Sequence, residues 1–186
     1  MVDADQSYMR HYMVEAPLES LYDKVARHTE ETAKILAGLP PEKADLAYAE
    51  GKWTVRQLVG HILVAHRIFV TRAVCASRGE QKPLPGFDEN SYALNWPPES
   101  IGLPELATAY AAEAEATRNW IGWMTEEELN RVGEANGIRF RPEQILRALI
   151  GHERHHLGVL QERYGLKLEL NLAPGGKNGK EKGTTP

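Results

Sequence analysis

One cysteine, Cys75, stands in the 186 residues of the chain. No intrachain disulfide can form, and the composition fits a reducing cytoplasm, with the lone thiol as ordinary packing. Basic charge is not in excess either. The 22 Lys and Arg are outnumbered by 26 Asp and Glu, and the net charge of −4 leaves no basic field to attract nucleic acid or an anionic membrane surface. Long apolar runs are also missing. The most apolar stretch, LVGHILVAHRIFV (58–70), is broken by His61, His66 and Arg67 and falls well short of the ~20 residues of a membrane span. The opening MVDADQSYMRHYM carries charge throughout, without the basic patch and apolar run of a secretory signal. These absences lead to the expectation of a soluble cytoplasmic protein that binds neither nucleic acid nor membrane.

Helical signals fill most of what remains. LESLYDKVARHTEETAKILAGLP (18–40) places apolar residues three and four apart and stops at Gly38 before Pro40 and Pro41. Thr54 with Gln57 three positions later has the form of a capping box, opening a second helix expected from about Val55 to Ser77. Residues 80–103 are rich in Pro, Gly and Asn without a lasting period, which predicts a long ordered loop packed by Phe87, Tyr92 and Trp96. A third helix is expected over Pro104 to Trp123, a short capped piece begins at Thr125, and ANGIRF (135–140) reads as a turn or short extended segment. Pro142 suits the first turn of a last helix reaching Tyr164, with Gly165 as its C-terminal cap. The fold class predicted is all-α, a four-helix bundle over residues 1–171 with a loop excursion after helix two. A Gly, Lys and Thr tail over 172–186 is expected to be disordered.

Within the last helix, GHERHHLGVLQERYG (151–165) holds three of the seven histidines. His152 and His156 fall inside the apolar stripe formed by Ile145, Leu149, Val159 and Leu160, while His155 points about 60° away. Four residues apart, the first two project from consecutive turns, a spacing that lets two imidazoles reach one ion. On the second helix His66 lies near the centre of the stripe. His61 lies on its flank beside Ala65 and Arg72, where it can meet the last helix. Each could be a hydrogen-bonded core residue, or several could share a cation that satisfies them together.

HERHH (152–156) also matches H-E-x-x-H, the zinc-peptidase pattern in which the glutamate is the general base. The downstream third ligand of that pattern is missing, and too little chain follows to build a peptidase domain.

The segments GKWTVRQLVGHILVAHRIFVTRAVCASRGEQKPLPGFDENSY and ANGIRFRPEQILRALIGHERHHLGVLQERYG resemble the DinB-like superfamily. Its second helix opens on Trp-Ser/Thr-x-Arg followed by a histidine, and its last helix carries His-x-x-x-His. The resemblance extends over about residues 18–165 and implies a four-helix bundle with a divalent metal on three histidines, by position His61, His152 and His156. It further implies a metal-dependent thiol transferase, thiol-using isomerase or hydrolase acting on a small molecule, and a homodimer. Where many relatives have Glu, this chain has His66, which makes His66 a candidate neighbour of the site or an extra ligand.

Three imidazoles would leave coordination positions open for a reactant. Zn²⁺ and Ni²⁺ suit imidazole best, with Fe²⁺ and Mn²⁺ as further candidates. Glu153, next to the first of the paired histidines, is the candidate catalytic proton acceptor, or else the partner of an imidazole N–H. The alternative is a solvated glutamate on the helix face. Gly60 and Gly151 each precede a proposed ligand and suggest that helices approach closely around the site. PLPGFDENSY (83–92) is the candidate lid or pocket wall. Against the enzyme stands a non-catalytic, stress-associated metal-binding helical protein.

Overall fold

The computed structural model describes residues 11–95 and 101–168. Trp96 and the 172–186 tail lie outside the described residues. Four long helices carry the architecture: α1 (Leu21–Ala37), α2 (Val55–Ser77), α4 (Leu103–Gly122) and α6 (Pro142–Glu162). Between them lie the short helices α3 (Glu89–Leu94) and α5 (Glu126–Leu129), and an antiparallel hairpin of β1 (Gly133–Ala135) and β2 (Ile138–Phe140). α1 packs on α4 and α6, and α2 packs on α6 and α4, which closes a four-helix ring.

Local chemistry sets the boundaries. The Thr54 hydroxyl accepts from Gln57 N–H while the Gln57 side chain accepts from Thr54 N–H, the reciprocal box that starts α2. Thr125 and Glu128 repeat it at α5. Asn136 and Gly137, at φ 52° and 74°, form the turn of the β1–β2 hairpin, where two successive positive φ angles match the strand twist. Gly165 takes φ 67° just beyond α6, as its place after the last helix predicts.

The expected loop over 80–103 differs in one respect. Asp88 accepts from Ser91 N–H and starts the six-residue helix α3, which packs against α2. A segment so short shows no helical period, so only its cap marks it in the sequence. The loop is also stitched to the hairpin: Leu84 N–H donates to the Glu134 carbonyl and Asn136 N–H to the Leu84 carbonyl.

α2, with 23 residues and a window of mean hydropathy 1.4, is long and apolar enough to cross a membrane, more so than the stretch 58–70 suggests. In the bundle it is a central core helix that buries Arg56, His61 and His66 along with its apolar residues.

The apolar interior falls into two clusters. One gathers Leu36, Leu58, Ile62, Leu106, Leu157 and Leu160. The other gathers Leu21, Val25, Phe69, Ile121, Ile145 and Leu149. Each long helix contributes to both, and on each a buried polar residue stands between the two contributions: His28 on α1, His66 on α2, Thr117 on α4 and Glu153 on α6. A polar belt thus crosses the middle of the bundle, and on α6 His152 and His156 flank its member Glu153.

Candidate metal centre

α2 and α6 lie side by side, and His61 from the first meets His152 and His156 from the second. The three Nε2 atoms are mutually 3.1 Å apart, an equilateral triangle inside the protein. The side chains are buried, with residue exposures of 4%, 2% and 8%. Hydrogen bonds among themselves cannot satisfy this arrangement. Each nitrogen is either a donor or an acceptor, so among three mutual neighbours at least two must be alike. A shared cation removes the conflict. A point ~2.1 Å from all three corners, the Zn–N distance, exists about 1 Å off their plane, so the donor set fits one divalent ion.

Burial holds these imidazoles neutral. Desolvation, reinforced by His155, lowers His61 to about 4. Desolvation and then His61 lower His152 to about 3, and His156 is pushed well below its ordinary value, first by burial and then by His152. Near neutral pH all three lone pairs are available without removing a proton. The Nδ1 atoms of His152 and His156 are buried without a hydrogen-bond partner among the described residues.

The WTVR motif positions this corner. The Trp53 ring lies tilted at 48° against His61, centroids 5.1 Å apart, and the Trp53 carbonyl accepts from Tyr164 Oη at 2.6 Å, joining the start of α2 to the end of α6. Arg56 pairs with Asp45 at 2.9 Å and also donates to the Ile101 carbonyl. Behind His152, the Tyr12 ring lies at 5.4 Å. A Cβ at Gly151 would lie 2.6 Å from the Tyr12 carbonyl carbon and closer still to its oxygen. At Gly151 the close approach is thus that of the N-terminal segment rather than of another long helix.

The expected site residues divide into two groups. His61, His152 and His156 converge. His66 does not join them: its Nδ1 lies 2.6 Å from Glu153 Oε1 and its Nε2 lies 2.8 Å from Thr117 Oγ1, so neither nitrogen is free for an ion. Glu153 is 0% exposed, which removes the solvated reading. Its Oε2 receives the Tyr110 hydroxyl at 2.7 Å and lies 2.8 Å from His28 Nε2. Of the two roles expected for Glu153, partner to imidazole N–H groups is the one these contacts match, although the imidazoles are those of His28 and His66. Burial alone would raise its pKa, but His66 and His28 together reverse this and hold the carboxylate ionised.

Sequence reading missed Glu89. The first residue of α3, it brings Oε2 to 4.0 Å from His61 Nε2 and is about one-third exposed. Desolvation, then Asp88, raises its pKa. The signal available was the Asp88 cap, which aims the first turn of α3. Glu89 and His152 border a cavity of about 280 Å³ whose walls include Phe69, Phe87, Phe140 and Arg72. The segment 83–92 therefore does supply a pocket wall.

Residues 24–160 match the family model of the DinB superfamily. A curated relative from Oceanobacillus iheyensis, named "Putative metal-dependent hydrolase OB0413", is 28% identical over 142 residues, covering 74% of this chain and 80% of the relative. Among solved structures the fold is similar to YfiT from Bacillus subtilis, described as a probable metal-dependent hydrolase with an unusual four-helix bundle topology. The TM-score is 0.70 at 20% identity, over 83% of this chain and 93% of that one. It is also similar to the mycothiol-dependent maleylpyruvate isomerase, with TM-score 0.59 at 17% identity, over 76% and 60% of the two chains. With the matching model spanning most of the helical core, this chain belongs to the DinB superfamily.

Proposed function

We propose that the protein is a metal-dependent enzyme that acts on a small molecule, as a hydrolase or as a transferase using a low-molecular-weight thiol. One observation carries this reading: three neutral, buried Nε2 atoms form a 3.1 Å triangle, and one of those imidazoles, His152, borders an open cavity. The names of the similar proteins, a metal-dependent hydrolase and a thiol-dependent isomerase, agree with it. In this reading His61, His152 and His156 hold one divalent ion, Zn²⁺ or Ni²⁺ by ligand preference, with Fe²⁺ and Mn²⁺ as alternatives. Such an ion supplies Lewis acidity, lowering the pKa of a bound water or thiol.

The chain's own groups do the rest. Glu89, at the cavity edge and with its pKa raised, is placed to accept a proton from a reactant that enters beside His61. Glu153 is the positioning residue: its bonds to His28, His66 and Tyr110 fix the turn of α6 that presents His152 and His156. Assembly as a homodimer belongs to the same reading. Tyr22, Trp120 and Trp123, exposed at 44%, 39% and 62%, are apolar surface a second copy would cover.

Elemental analysis of untagged protein is the test. Near-stoichiometric metal that disappears in His152→Ala supports the site, and turnover of an electrophile with a thiol or water separates enzyme from binder. Protein that stays metal-free after equilibration with Zn²⁺ and Ni²⁺ would overturn the reading.

A further inference from the structure

The cavity beside the histidines has a second pole. Its floor is apolar, formed by Phe69, Phe140 and Ile145, and at its rim stands Arg72. The guanidinium is held in place: its carbon lies 5.9 Å from the Phe87 ring centroid, and Nη2 donates to the Pro85 carbonyl at 2.9 Å. Its charge has no partner, because among the described residues no carboxylate forms an ion pair with it. The two nearby acids are committed elsewhere, Asp88 capping α3 and Glu89 facing His61. Burial without a counter-ion lowers the pKa of the guanidinium, and a half-buried cation of this kind gains most from an incoming anion.

Helix geometry sets the distance. His61 and Arg72 are eleven residues apart on α2, which is three turns plus about 20°, so they stand on one line ~16 Å apart along the axis. Side chains at both positions tilt toward the helix N-terminus, so the tilt leaves this separation unchanged and only the reach of the longer Arg72 side chain shortens it, to a ligand gap on the order of 10–16 Å. The cavity walls between the poles carry the rings of Phe69, Phe87 and Phe140, with Asp88 and Asn136 as polar members.

We propose that the site takes a small carboxylate with an apolar body, its anionic end paired bidentately with Arg72 and its reacting end at the three histidines. Glu89 and Arg72 then orient the ligand, one repelling the carboxylate from the metal end and the other drawing it to the far end. This assignment rests on the reading of the cavity as the substrate site, and the test separates the two.

The probes are 4-phenylbutyrate and its uncharged amide, titrated calorimetrically into wild-type protein, Arg72→Gln and Arg72→Lys, each in metal-free and Zn²⁺-loaded form. Wild type is expected to favour the acid by about tenfold. Arg72→Gln should abolish the preference, and Arg72→Lys, with the charge but not the planar fork, should keep about a third of it. Folding is checked by unfolding midpoint. Equal binding of acid and amide, no binding of either at millimolar concentration, or an undiminished preference in Arg72→Gln would each overturn the proposal. Zinc content of the same samples reports separately on the histidines. A preference present without any bound zinc supports the Arg72 assignment while sinking the metal site. Bound zinc without a preference does the reverse.

Discussion

His66 Nδ1 lies 2.6 Å from Glu153 Oε1, and both side chains are 0% exposed. A carboxylate held in the core by two imidazoles and a phenol, from three other helices, stabilises the bundle only while its partners remain.

Glu153→Ala leaves His28, His66 and Tyr110 buried without their common acceptor. The expected loss is about 3–5 kcal/mol in urea unfolding, the range for breaking a buried pair from one side. Glu153→Gln keeps the shape and should lose less. A loss under 1 kcal/mol for the alanine variant would show that the network contributes little.

Metal binding should raise stability through the native state alone. At free Zn²⁺ a hundredfold above Kd the gain is about 2.7 kcal/mol, or roughly 5–10 °C in Tm for a chain of this size. Addition of chelator should reverse the shift. His61→Ala and His156→Ala should each abolish it, and an equal zinc shift in either variant would exclude the triangle as the binding site.

Acid should destabilise the metal-free protein in a defined window. His61 and His152 have folded pKa values of about 4 and 3 against 6.5 for the free imidazole. Below about pH 6.5 the unfolded chain therefore takes up protons that the folded chain refuses, and stability falls as pH drops toward 4. Above about 6.5 both states are neutral at these positions and the contribution is flat. Each imidazole adds a slope on the order of 1.4 kcal/mol per pH unit inside the window. Glu153, whose folded pKa is lowered, acts in the same direction below 4.5. Denaturant midpoints from about pH 8 to pH 5 in chelator test this, and a level profile would contradict it.

Gly151→Ala should act through the N-terminal segment. A Cβ there collides with the Tyr12 carbonyl, so Tyr12 is expected to leave the His152 ring and the Tm to fall. In a chain lacking residues 1–14 the same change should be neutral or stabilising by up to ~1 kcal/mol, because alanine is the better helix former. A destabilisation of equal size in both backgrounds would refute the contact.

Much of this was legible in the sequence. The Thr54–Gln57 box marks the start of α2, and the four-residue spacing of His152 and His156 places both on one face. His61 on the flank of its stripe meets them. The donors around Glu153 were harder to see, because they come from helices far apart in sequence. A local trace existed: His28 and Thr32 continue the Leu21–Val25 stripe of α1 where apolar residues belong, which signals a buried polar layer without naming its partner. Glu89 left a weaker trace. A six-residue helix has too few turns to show a period, and its position depends on the Leu84 pairing to β1.

The belt between the two apolar clusters also bears on how the bundle resists sliding. Greasy helix faces tolerate displacement by one 5.4 Å turn, since one methyl replaces another at modest loss. Directional bonds linking His28, His66, Tyr110, Thr117 and Glu153 do not. Four helices are thus pinned to a single vertical alignment, and it is this alignment that brings α2 and α6 level, so that rings 91 and 95 positions apart in the chain face one another.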